Sequence, residues 1–438
     1  MKHWRAVLTI ILLSTFASHV RAQEIKAITG ATLIDGAGRA PIKDTVIIIE
    51  GARIKQAGAK NKIKVPKEAT VIDARGKFVM PGLADMHNHL LDGTLSRRPQ
   101  ALTNARRLLA FGVTTVFYPN ANLQLLARLK QEAASDNAPY PRVFSTGPIV
   151  TVKGGSLSPD FRSPETPDEA RAVVKELKDA GVEAIKLGYD DNTWAMKAAS
   201  PLMKTDVVAA VIAEAHQQGL KVFVHAPMLE QAKAVLRAGA DGLMHGVIDQ
   251  PVDEEFIALM KKNRAVYVST LALFENVGDT AAWARRQAAY DERKLYPSSV
   301  YDFLSSPNAA SFLSNAGFTK EHLPVLRANL KQVYSAGIPL VIGTDTGFPG
   351  VLLGVASHLE MLLHSEAGLK NDAIIHAATI NAARMIGLEK DLGAVEAGKF
   401  ADLLILDANP LDDIRNIKQI HRVVKGGTVF DPAELLKQ

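Results

Sequence analysis

The 438-residue chain contains no cysteine, which excludes disulfides and every thiolate metal site. Any metal it binds must be held by nitrogen and oxygen. It also lacks a block of consecutive basic residues, and its formal charge is only +5. Lys2, Arg5 and Arg21 fall in a segment expected to be removed, so the remainder is close to neutral and nucleic acid is excluded as a partner. The first apolar run, Ala6 to Ala17, is shorter than the roughly 20 residues of a membrane span. With a basic start before it and small residues at Val20 and Ala22, residues 1–22 read as a secretory signal cleaved after Ala22. No arginine pair precedes the run, so general secretory export to a periplasmic or secreted location is expected, with no stable membrane anchor after cleavage.

Hydrophobic residues make up 47% of the chain, enough for one large core and a smaller second one. Between Ile25 and Lys77, short β-rich runs are punctuated by glycine: Ile28 to Ile34, Thr45 to Ile49 and Ala69 to Asp73. The same texture returns in Asp402 to Leu406, Ile420 to Val424 and Gly427 to Phe430. Both ends are therefore expected to pair into one β-sandwich side domain, residues 23–80 with 389–438.

The block between them, residues 81–388, alternates strand-like runs with helical stretches. Eight candidate strands are Phe78 to Met86, Val113 to Tyr118, Val143 to Val150, Glu183 to Leu187, Val222 to His225, Gly242 to Gly246, Val266 to Leu271 and Leu340 to Gly343. That spacing predicts an α/β fold, a (β/α)₈ TIM barrel whose chemistry lies at the C-terminal ends of its strands. Residues 274–318 interrupt the alternation with eight aromatics, Phe274, Trp283, Tyr290, Tyr296, Tyr301, Phe303, Phe312 and Phe318. Length alone leaves two readings of this segment, a partly helical lid and an extra helical hairpin outside the barrel.

The strand ends carry the chemistry. Pro81-Gly82-Leu83-Ala84-Asp85-Met86-His87-Asn88-His89 closes the first strand, and residues two apart share a face, so His87 and His89 can aim at one metal. Lys186 ends the fourth strand, His225 the fifth, His245 the sixth and Asp345 the eighth. Singly, each has an ordinary explanation: a surface lysine, a core histidine, a helix-capping aspartate. Together they put a metal-competent side chain at the end of five strands, on the rim where barrel enzymes work. His216, His322, His358, His364 and His376 fall in predicted helices and read as structural or solvent-facing.

This set resembles the binuclear metal-dependent amidohydrolase superfamily, and within it the imidazolonepropionase-related, prolidase-like group of Xaa-amino-acid hydrolases. The stretch Gly393-Ala394-Val395-Glu396-Ala397-Gly398-Lys399-Phe400-Ala401-Asp402-Leu403 resembles the superfamily's re-entry into its side domain. The resemblance implies two divalent ions, zinc first with manganese, cobalt or iron admissible. His87, His89 and Asp345 would hold one ion, and His225 and His245 the other. Lys186 would bridge them as a carbamate made with carbon dioxide, because an ammonium cannot ligate a cation. The implied reaction is cleavage of a non-ring amide bond in a dipeptide, N-acyl amino acid or related conjugate by a metal-bridging hydroxide, with Asp345 as the proton-transferring catalytic residue. Opening of a cyclic amide or lactone is the alternative, followed by deamination and by a non-catalytic binding role. The partner is a small-molecule substrate, and a homo-oligomer is compatible with this reading. Rim loops offer Tyr118, Tyr189 and Phe348 as substrate contacts, with Asn120 and Lys153 nearby. Arg162 is the candidate clamp for a substrate carboxylate.

Overall fold

The computed structural model describes residues 24–89, 98–135, 137–155, 161–195, 199–292, 294, 296–306 and 317–437. The expected export segment, residues 1–22, lies outside them, as does Phe312. Among the described residues no helix is long and apolar enough to cross a membrane.

Short aliphatic runs form eight parallel strands: Leu83–Asp85, Val113–Tyr118, Arg142–Ser145, Ala184–Gly188, Lys221–His225, Gly242–Leu243, Val266–Val268 and Leu340–Val341. Most neighbours pair through parallel ladders, the first with a register shift between Leu83 and Ala84. The Glu183 amide, donating to the Ser145 carbonyl at 2.9 Å, joins the third strand to the fourth. The Met86 amide, donating to the Ile342 carbonyl at 2.9 Å, closes the ring. Because successive side chains point to opposite faces, Ala184 and Phe223 fill the barrel interior, whereas Ile185, Leu187, Val222 and Val224 pack outward beneath the helices. The result is the predicted TIM barrel.

Two expected strands break. Phe78 to Met86 divides at Gly82 into Phe78–Pro81, which pairs with Leu403–Leu406 in the side domain, and the barrel strand Leu83–Asp85. Val143 to Val150 stops at Ser145 and resumes as Ile149–Val150, which pairs with Phe161–Arg162. A hydrophobic run does not announce a change of sheet, because both sheets bury it equally.

The side domain holds two sheets. One orders Arg53–Ala59, Thr45–Glu50, Ile25–Thr29 and Thr70–Asp73; the other orders Thr428–Phe430, Ile420–Lys425, Leu403–Leu406, Phe78–Pro81 and Thr32–Leu33. Residues from both chain ends therefore share a sheet. Leu403–Leu406 is buried along its whole length, and period two explains why: Leu403 and Ile405 enter the side-domain core, while Leu404 and Leu406 enter the barrel's outer core. This strand joins the two cores.

The aromatic segment is largely helical. It runs through helices Leu271–Gly278, Thr280–Tyr290 and Ser298–Leu304. The second begins where the Asp279 side chain accepts from the Ala282 amide at 2.9 Å. Trp283 and Phe318 are buried, and Phe303 is exposed.

Leu404 makes the joint testable. Leu404→Ala is expected to cost about 2–5 kcal/mol in chemical denaturation, whereas Val71→Ala, at a position 56% exposed, should stay within about 0.5 kcal/mol of the parent.

Candidate metal centre

Strand parity brings the rim residues together. Two residues beyond Ala184 and Phe223, on the same interior face, stand Lys186 and His225. The first strand reaches the eighth by unusually close backbone approach. Asp345 N donates to the His87 carbonyl at 2.7 Å, and His89 N to the Thr346 carbonyl at 2.6 Å. A Cβ on Gly343 would lie 2.9 Å from His87 N, and one on Gly347 would lie 2.6 Å from the His89 carbonyl oxygen, so only glycine fits either place. Behind this contact Asp85 is fully buried and accepts from Thr344 Oγ1 (2.7 Å), Ser357 Oγ (2.8 Å) and Asn88 Nδ2 (3.3 Å).

His87, His89, Lys186, His225, His245 and Asp345 line one cavity of about 170 Å³, with Asn120, Trp194 and Phe348 among its other walls. Asp345 Oδ1 lies 2.8 Å from His89 Nε2 and 3.4 Å from His87 Nε2. The His245 ring stands between the groups, with its centroid 4.7 Å from that of His87 and 4.3 Å from that of His225. His87, His245 and Asp345 offer ligand atoms within 4.8 Å of one another. His245 thus belongs as closely to the His87 group as to His225, with which the resemblance pairs it.

The surroundings set which ring nitrogen is free. His87 Nδ1 lies 2.8 Å from the Met244 carbonyl, an acceptor only, so Nδ1 carries the proton and Nε2 keeps a lone pair. His225 Nε2 donates to Asp190 Oδ2 at 2.8 Å, leaving Nδ1 free. His245 Nδ1 is 2.8 Å from Thr270 Oγ1. Each contact is the kind of outer partner that orients a metal-binding imidazole. Burial pushes the pKa of His87 and of His245 well below the usual value, so both rings are neutral. Burial alone would raise the Asp345 carboxyl, but the hydrogen bond from His89 opposes it, and the group is held below the usual carboxylate range.

Thr270 and Asp345 have positive φ, +47° and +58°, a strained conformation for residues other than glycine. Thr270 is held there by Glu360, fully buried, whose carboxylate accepts from Leu271 N at 2.9 Å, Ala272 N at 2.7 Å and Ser269 Oγ at 2.8 Å. His364 Nε2 also meets Ser269 Oγ at 2.8 Å, so this helical histidine supports the strand end that carries Thr270.

Lys186 differs from the rest. Its Nζ is buried and has no hydrogen-bond partner among the described residues. Loss of water lowers its pKa from 10.5 to about 7. A buried amine without a partner is destabilising, and here it is aimed into a cavity of metal-competent groups.

The expected substrate contacts divide. Phe348 and Asn120 line the cavity. Tyr189 and Tyr118 do not: both are buried in the outer core, because Tyr118, which ends its strand, and Tyr189, just after its own, sit at the parity opposite to the interior-facing residues. Tyr118 still meets the edge of His89, with ring centroids 5.6 Å apart. Lys153 is exposed, and Arg162 is occupied by Glu176 at 2.8 and 3.0 Å, so it is no free clamp. Sequence reasoning passed over Asp190, Trp194, Thr270 and Glu360. Parity offered a signal for Asp190, four residues beyond Lys186 on the same face; the others come from loops and a helix with no local signature.

A family model for the amidohydrolase family matches residues 78–430. The chain belongs to the amidohydrolase family. This amidohydrolase is 26% identical over 428 residues to the dihydroorotase of Aquifex aeolicus (strain VF5), covering 88% of this chain and 92% of that protein. It is 22% identical to the imidazolonepropionase of Caldanaerobacter subterraneus subsp. tengcongensis, covering 88% and 89%. Among solved structures, a putative prolidase from Bifidobacterium longum superposes with a TM-score of 0.75 at 27% identity, over 93% of this chain and 95% of that one. A Xaa-Pro dipeptidase with bound methionine shares the fold with a TM-score of 0.73 at 24% identity, over 93% and 100%. The protein is accordingly an enzyme, a hydrolase of carbon–nitrogen bonds from a family that generally depends on divalent metals.

Two outcomes follow from this geometry. Asp190→Asn should weaken metal binding about 10–100-fold in titrations of the metal-stripped protein. Lys186 binds fewer protons folded than unfolded between pH 7 and 10.5, so its destabilising effect is fully present below 7 and fades as pH rises to 10.5. Relative to Lys186→Met, the metal-free parent should gain on the order of 5 kcal/mol across that window, as measured by denaturation at each pH.

Proposed function

We propose that this amidohydrolase cleaves a non-ring amide bond of a dipeptide, N-acyl amino acid or related small conjugate. It would do so with two divalent ions, zinc first, held by His87, His89, His225, His245 and Asp345 and bridged by Lys186 as a carbamate. The observation that carries this reading is the buried Lys186 amine, which has no hydrogen-bond partner among the described residues. Only the neutral amine attacks carbon dioxide: a nitrogen–carbon bond forms, one proton leaves, and the product is an anionic oxygen donor. A lysine kept protonated by a carboxylate partner would not be poised for that. The neutral imidazoles and the ionised Asp345 suit the same purpose.

Two ions bound there would supply Lewis acidity at the scissile carbonyl and a hydroxide near neutral pH. The rest falls to the chain. Asp345, a carboxylate at neutral pH, accepts a proton from the attacking nucleophile and returns it to the leaving nitrogen. Asp190, Thr270 and the Met244 carbonyl keep the imidazoles oriented, so no reorganisation is needed as charge develops. Trp194 and Phe274, with centroids 5.5 Å apart, form an apolar flank that limits water. The N-terminal signal supports export, which places loading with metal and carbon dioxide after transport.

Asp345→Asn should lower turnover by at least about 10³-fold while retaining most of the metal; unchanged turnover would remove Asp345 from its role. Metal analysis after loading with zinc and bicarbonate should find two ions per chain, and fewer than one would end the binuclear proposal. A panel of N-acyl amino acids, Xaa-Pro and Xaa-Arg dipeptides and lactones tests the bond class, with faster lactone than amide turnover counting against it.

A further inference from the structure

The cavity in front of the candidate ligands, about 170 Å³, is smaller than the roughly 300–1,000 Å³ of ordinary small-molecule sites. A substrate of dipeptide size must extend beyond it. A second cavity of about 440 Å³ opens alongside, and Phe348 forms part of the wall of both. Gly347 lines it too, packed so closely on His89 that an added Cβ would lie 2.5 Å from His89 Cβ. The groove is lined along the backbone from Gly347 to Leu353, and Gly347 itself packs against the candidate metal ligand His89. Its facing wall is apolar, supplied by Val300, Phe303 and Leu304.

Among the described residues, one cation stands in these walls. Arg107, from helix Arg98–Ala110, lies over the Tyr296 ring with its guanidinium carbon 4.6 Å from the centroid. Its Nε is buried with no acceptor, and its side-chain hydrogen bond is a long one, 3.5 Å from Nη1 to Asn104 Oδ1. Among the described residues no carboxylate reaches ion-pair distance of it. Asp291, which adjoins the same tyrosines, instead accepts from Tyr296 N at 2.9 Å and Tyr301 Oη at 2.8 Å. A guanidinium set in apolar walls without a counter-ion gains most from an anion delivered on an apolar body.

We propose that this groove is the distal substrate subsite, and that it takes an aromatic-sized apolar group bearing a carboxylate, with Arg107 pairing the carboxylate. The proposal deepens the amide-hydrolase reading by naming the part of the substrate beyond the scissile bond, and it rests on that reading only for which bond is cut.

The test is calorimetric titration of the metal-loaded full-length protein with 4-phenylbutyrate and with 4-phenyl-1-butanol. The acid should bind at least about tenfold more tightly than the alcohol. Arg107→Gln should remove that margin and leave the alcohol within about twofold, Arg107→Lys should restore part of it, and Leu353→Trp, which fills the groove, should weaken both. Equal binding of the acid by the parent and Arg107→Gln, as expected for a carboxylate resting on the metals, overturns the proposal, as does Leu353→Trp without effect. In turnover, N-acetylphenylalanine should exceed N-acetylglycine in kcat/KM by at least about tenfold, with Arg107→Gln acting on KM rather than kcat. Should binding follow this pattern while no amide is hydrolysed, the hydrolase reading fails and the subsite stands. Hydrolysis without preference for the aromatic acid, and with binding independent of Arg107, leaves the hydrolase and removes the subsite.

Discussion

The carboxylate of Asp85, out of water behind the rim, accepts hydrogen bonds from Thr344, Ser357 and Asn88 and so clamps the last barrel strand to the first. A parallel barrel must close somewhere, and this one closes where Met86 meets Ile342. With the closure held at that point, the His87–His89 turn and Asp345 are forced into contact, and the glycines at 343 and 347 make the approach sterically feasible. The other candidate ligands stand on strands whose register follows from the same ring. Moving one strand by a single residue would turn its ligand outward.

The rim pays in stability for its chemistry. Lys186 is stripped of water without a partner, and Thr270 and Asp345 occupy left-handed backbone conformations. Such features persist only where the surroundings over-determine them. Here Glu360 supplies three hydrogen bonds around Thr270, and the interior of the barrel packs tightly beneath Lys186 and His225. The joint with the side domain adds to this rigidity, since one strand, Leu403–Leu406, serves two cores at once.

Reaction class and substrate choice have separate physical origins. Interior-facing residues at strand ends form the candidate site, which fits a likeness that spans nearly the whole chain to relatives as different as a dihydroorotase and an imidazolonepropionase. The walls that would select a substrate come from the excursion after the seventh strand and from the Phe348 segment, where loop sequence can vary without disturbing the ring.

Much of this was legible in the residues themselves. The absence of cysteine, the His87–His89 pair, the lysine, two histidines and aspartate at later strand ends, and the period-two runs together imply a barrel and a nitrogen–oxygen site, since each depends on local spacing. The errors were ones of parity and of sheet membership. Tyr189 and Tyr118 face the outer core because they sit one residue out of phase with the interior, and the Phe78–Met86 run serves two sheets because burial looks alike in both. Arg162, the clamp expected from its loop, is occupied by Glu176. Only the tertiary structure could reveal that Asp190 holds His225, that Glu360 and Thr270 steady His245, that Lys186 is without a partner, and that Arg107 faces a groove adjoining His89. Those relations join residues as many as 246 positions apart (Arg107 to Leu353), and no local pattern encodes a distance that the closing of the ring creates.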